Sequence, residues 1–217
     1  MNPPFTKEQF LDLFASYNTA IWPLQIILTL AAVSVVVMAF RRFNHSDRLI
    51  SIVLGLLWLW IGVVYHMIFF TSINPAAYVF AVLYIVQALL LFWTGYRNQT
   101  AYRPTFGLRD SLGGIFILYA LLVYPALGLV LGHVYPHSPS FGAPCPTTIF
   151  TFGVFLWARK LPRYLLAIPF LWSLVGFTAA LTMGIQEDIG LLVAGVVGTG
   201  LVLMSRGEGV GRRERSS

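Results

Sequence analysis

Thirteen of the chain's fourteen Lys and Arg residues fall in every second gap between long apolar runs. A soluble fold has no use for that alternation. A chain threading a bilayer does, because the connectors left on the cytoplasmic side collect Lys and Arg. Arg41, Arg42 and Arg48 follow the first run, Arg97, Arg103 and Arg109 the third, and Arg159, Lys160 and Arg163 the fifth, while Arg206, Arg212, Arg213 and Arg215 form the tail. Only Lys7 stands outside the pattern.

The runs cover 20–40, 49–70, 75–96, 111–133, 146–158, 163–184 and 187–204. About 20 apolar residues rising about 1.5 Å each cross a hydrocarbon layer of about 30 Å. The fifth run approaches that length only when counted from Ala143 to Trp157. The sequence therefore predicts an all-α integral membrane bundle of seven transmembrane helices, N-terminus outside and C-terminus cytoplasmic, in the inner (cytoplasmic) membrane of a bacterium. Residues 1–19 read as an external interfacial amphipathic helix, 20–205 as the transmembrane domain and 206–217 as a basic cytoplasmic tail. The formal charge of +6 is spread over short connectors rather than gathered on one face. That distribution argues against nucleic acid and leaves the lipid bilayer as the partner.

Local signals refine this frame. Thr6-Lys7-Glu8-Gln9 fits a capping box ahead of Phe10, Leu13, Phe14 and Tyr17 at helical spacing. Asn74 and Pro75 are suited to open the third span after a tight turn. Pro125 and Pro169 fall inside apolar runs, where a missing N–H kinks a helix and frees carbonyls beside polar paths. Gly190, Ala194 and Gly198 recur every fourth residue, a stripe that lets helices approach closely, either within one bundle or in a homo-oligomer.

The least generic stretch is the gap before the fifth run, GHVYPHSPSFGAPCPTT, which holds His133, His137, four prolines and the chain's one cysteine, Cys145. His66 and Met67 fall near the same outer boundary, as do Glu187 and Asp188. Imidazole and thiolate suit soft cations, so His66, His133, His137 and Cys145 form a candidate site for a soft transition-metal ion. Met67, Tyr124 at the proline kink and Gln87 within the third span are candidate substrate contacts. No Asp, Glu, Lys or Arg lies mid-span, which argues against a carboxylate proton relay. The last run also lacks the lysine a retinal protein needs. An enzyme using Cys145 as nucleophile would require a histidine base and an orienting group that sequence alone does not place.

The stretch GHVYPHSPSFGAPCPTTIFTFG and the spans around it resemble a bacterial family of small multi-pass membrane proteins described as a domain of unknown function, whose members are sometimes labelled permeases. The resemblance implies the architecture and brings no catalytic residue. The expected function is a small permease or resistance-type transporter that captures a soft metal ion or small solute at its outer loop. The alternatives are a non-transporting membrane component that binds metal or does redox chemistry, or a structural accessory subunit.

Overall fold

The computed structural model describes residues 4–205. The fold is all-helical apart from a short two-stranded ribbon. Its first helix, α1 (Lys7–Ile21), opens on the expected capping box: the Gln9 N–H donates to Thr6 Oγ1 at 3.2 Å and the Thr6 N–H to Gln9 Oε1 at 2.8 Å. The apolar face of α1, carrying Phe10, Leu13, Phe14 and Tyr17, is buried against the rest of the protein.

Among the described residues, six helices are long and apolar enough to cross a membrane: α2 (Leu24–Arg41), α3 (Ser46–Ser72), α4 (Ala77–Tyr96), α5 (Leu108–Val130), α7 (Arg163–Met183) and α8 (Gln186–Met204). Their lengths run from about 27 to about 40 Å. Each buries a minority of its residues and turns large apolar side chains outward, such as Leu30, Ile68, Val79, Leu122 and Leu181. Water would not tolerate so broad an apolar belt, and lipid does. The chain is a membrane protein.

The fifth run departs from expectation. It folds as α6 (Pro144–Leu156), a helix of 13 residues and about 20 Å. That is too short to match the other six. Every residue of α6 except Cys145 is buried, so it is the core about which α3, α5, α7 and α8 pack rather than a lipid-facing helix. Protein surroundings on all sides remove the need for a bilayer-matched length. Two of its hydroxyls are satisfied locally, Thr148 and Thr151 donating one turn back to the carbonyls of Pro144 and Thr147 at 2.8 Å each, while the Thr147 hydroxyl is buried without a partner.

Two ends are defined by what meets there. At one, β1 (Ala101–Tyr102), after α4, pairs antiparallel with β2 (Ala158–Lys160), after α6. The Tyr102 N–H donates to Asp47 Oδ1, in the first turn of α3, at 2.7 Å. Arg109, at the start of α5, donates to the carbonyl of Ala158 at 2.7 Å and to Ser205 Oγ beyond α8 at 3.1 Å. Asp110 is buried there between Thr105 and Arg159. At the other end, α1 lies over the helix termini and is stitched to the loop between α5 and α6. The Asn18 side-chain amide donates to the carbonyls of Pro136 and Ser138 at 2.6 and 2.7 Å, and Tyr17 donates to the Gly142 carbonyl at 2.8 Å. Gly142 has φ of +97°, and a Cβ there would come within 2.5 Å of Leu28, so no other residue fits this seam.

The small-residue stripe of α8 is used inside the bundle. Cβ atoms are excluded at Gly190 by Tyr119 and at Gly198 by Phe152, while Ala194 is fully buried. Of the two expectations for Gly190, Ala194 and Gly198, close packing within one bundle is what the fold displays. The expected basic tail, 206–217, lies outside the described residues.

Candidate functional site

Beneath α1 the helices do not close. A cavity of about 230 Å³ remains, roofed by Phe5, Phe10 and Phe14 and walled by Tyr65, Phe70, Phe80 and Trp172, with Tyr124, Cys145 and Asp188 at its polar side. Helix irregularities flank it. Residues Ile61–Phe69 of α3 form a π-helical stretch, and Tyr119–Val123 of α5 form another immediately before Tyr124-Pro125. The cause in α5 is legible, because Pro125 has no N–H to give and the ladder resets around it. The Tyr124 N–H instead donates to the Tyr119 carbonyl, five residues back. Such bulges recur at functional sites because they re-aim side chains without ending a helix. Here they bring Tyr65 and Tyr124 to the cavity.

Asp188 and Glu187 are buried at the start of α8 and play different parts. Glu187 has one partner: His133 Nδ1 lies 2.7 Å from its Oε1, while its Oε2 is buried without a hydrogen bond. Tyr119 donates to the Glu187 backbone carbonyl at 2.7 Å. Asp188 accepts from the Tyr124 hydroxyl at 2.5 Å and has the Cys145 thiol as a polar neighbour, both of them neutral groups. The Trp172 indole N–H is buried without a hydrogen bond, although the Cys145 sulfur lies near it.

His66 lies behind the aromatic wall with no exposed surface and no hydrogen-bond partner on either ring nitrogen. Its ring centroid is 4.8 Å from that of Tyr84 and 5.2 Å from those of Tyr65 and Trp172. A neutral imidazole held only by rings is an uncompensated cost in the folded state.

The structure separates the residues that sequence grouped. Cys145 and Tyr124 line the cavity, His66 stands behind its wall, and His133 is engaged with Glu187. His137 is half exposed, 3.5 Å from Asp12 at the surface of α1. Met67 points outward with 43% of its surface exposed, so it contacts no interior solute. Gln87 donates to the Leu165 carbonyl at 3.0 Å and ties α4 to α7. Among the described residues, no group of three or more His, Cys, Asp or Glu side chains is placed to hold a metal ion. The thiol has Asp188 and Trp172 as its polar neighbours rather than a histidine base. Sequence reasoning missed the aromatic wall and the roof, although the amphipathic face of α1 was the signal that it covers something.

Residues 7–210 match the family described as Family of unknown function (DUF6064). The chain belongs to that family. The match begins with the first residue of α1 and continues past the end of α8, so the roof belongs to the family's domain as much as the bundle does. No curated protein and no solved structure matches the chain. The DUF6064 family supplies no activity, and the chemistry has to be read from the cavity.

Proposed function

We propose that this chain is a small permease or resistance-type protein of a bacterial inner membrane, and that the roofed cavity, rather than the outer loop itself, receives a small solute. The observation that carries the reading is the cavity of about 230 Å³ with a mostly aromatic wall and one polar side, set at the end of a membrane bundle. Ligand sites have this character: largely apolar, largely preformed, with a few convergent polar groups. The expected soft-metal cargo loses its support, because its ligands are dispersed.

We further propose seven passes with the N-terminus outside and the C-terminus inside. The support is the pairing of β1 with β2, which returns the chain to the same end before α5 and after α6. Arg103, Arg109, Arg159 and Lys160 cluster at that end, which makes it cytoplasmic by the positive-inside rule. The cavity then faces the outside. A reporter fused after Ser217 is expected in the cytoplasm and one inserted in 134–142 outside; the reverse result overturns the orientation.

The solute reading is tested by thermal unfolding of the detergent-purified protein with indole, phenol, benzylamine and similar small molecules. A ligand present at about 100 times its Kd stabilises by about 2.7 kcal/mol. The expected result is a rise in Tm for at least one compound in the wild type and none in Val175→Phe, whose ring fills the cavity. That compound, radiolabelled, is then offered to proteoliposomes. Uptake supports the permease, stabilisation without uptake supports a binding or accessory role, and no stabilisation by any compound removes the solute site.

A further inference from the structure

The lining of the cavity narrows the class of solute, and the inference rests on the solute-site reading above. Phe10, Phe14, Tyr65, Phe70, Phe80 and Trp172 line one space. Ring faces carry the negative lobe of a quadrupole, and several of them around one volume favour a cation stripped of water. The polar side has the same sign. Asp188 is 4% exposed, and its two partners, the Tyr124 hydroxyl and the Cys145 thiol, bring no charge. Its neighbour Glu187 has His133 beside one oxygen, and no described residue forms an ion pair with Asp188. No Lys or Arg is among the described residues that line the cavity. In its ionised form a buried carboxylate without a counter-charge is costly, and a cationic ligand is the partner that would favour that form.

The volume of about 230 Å³ exceeds the roughly 150 Å³ of a cavity that holds benzene. We propose that the cavity binds an organic monocation, a protonated or quaternary amine on a small apolar or aromatic body of on the order of ten non-hydrogen atoms. The ammonium meets Asp188 and the rings.

The experiment compares benzyltrimethylammonium with its uncharged isostere neopentylbenzene by titration calorimetry on the full-length purified protein, with Val175→Phe as the measure of partition into detergent. In the wild type the cation is expected to bind about tenfold more tightly than the isostere, the scale of a desolvated cation over aromatic faces. In Asp188→Asn that preference is expected to vanish while the isostere still binds, which also reports that the cavity has survived the substitution. Equal binding of the two compounds by the wild type, or tighter binding of the isostere, overturns the cation inference and leaves the solute site standing. A preference that persists in Asp188→Asn overturns the part assigned to Asp188. Failure of both compounds to bind the wild type above the Val175→Phe baseline removes the solute site together with the inference.

Discussion

The two ends of this bundle are built on opposite plans. At the ribbon end, polar side chains tie separate elements together: Arg109 reaches β2 and the end of α8, Trp157 donates to the Asp110 carbonyl at 2.9 Å, and Ser51 holds both Thr100 and Tyr102. At the roofed end, Asn18 and Tyr17 also bond across to the carbonyls of Pro136, Ser138 and Gly142, but the helices leave a space beneath, and both nitrogens of His66 beside it are without partners. One end is closed by its polar ties, and the other is tied around a cavity. A site for a ligand has to be drawn from the second kind of region, since a group already satisfied has nothing to offer.

The largest effect that would sharpen this contrast lies where α5 crosses α6. A Cβ at Gly153 would stand 2.7 Å from the Gly113 carbonyl and 2.7 Å from Ile117. Gly153→Leu should therefore cost about 3 kcal/mol, the top of the range for overpacking, seen as a large loss of Tm and of folded yield. Retention of wild-type Tm would mean that the two helices can part at no cost. Asp110→Ala comes next, at about 2 kcal/mol, because it strips a partner from Arg159 and from Thr105 in a mostly buried setting. The comparison predicts that solute binding at the far end is unaffected in this variant, and a changed Kd would show that the ends are coupled.

The roofed end should respond with the opposite sign. His66→Phe replaces two orphaned nitrogens by carbon among rings that already surround the site, and is expected to raise stability by about 1 kcal/mol. A fall in Tm would mean that the imidazole has a use that its contacts do not reveal. The smallest effect is local. Burial pushes the Tyr102 phenol up to about 12 from an ordinary value of 10.0, although bonds to Ser51 and Thr100 pull the other way. The unfolded chain then loses this proton before the folded one does. Its contribution is intact below about pH 10 and fades as pH climbs to about 12. Faster exchange of the Ala101 and Tyr102 amides over that window should be absent in Tyr102→Phe.

The six lipid-facing helices were legible because their signal is simple: length, apolarity and a basic flank. The capping box at Thr6 and Gln9 was equally plain, being local chemistry within four residues. The cap expected of Asn74 is not formed: its Oδ1 accepts from the Ala76 N–H at 3.0 Å in the preceding turn, and α4 opens at Ala77 with Ala76 as its N-cap and no side-chain cap. The burial of α6 was not legible, since an apolar segment reads the same whether lipid or protein surrounds it; only its shortness hinted at the difference. The site was half legible. Tyr124, Cys145 and Asp188 are recognisable as polar groups at one depth, but which of them meet depends on how helices rotate about their axes. Phe5, Phe10, Phe70, Phe80 and Trp172 carry no chemical flag among 17 phenylalanines and 6 tryptophans. Their role arises from convergence alone.

The burial of α6 also governs how the surrounding membrane reaches the cavity. Helices in contact with lipid answer a thinner or thicker bilayer by tilting. α6 is enclosed by its neighbours and has no lipid boundary to match. Cys145 is carried on that enclosed helix, whereas Trp172 on α7 and Asp188 on α8 are carried on helices with outward apolar faces. The cavity wall is therefore shared between a helix that the bilayer does not touch and helices that it does.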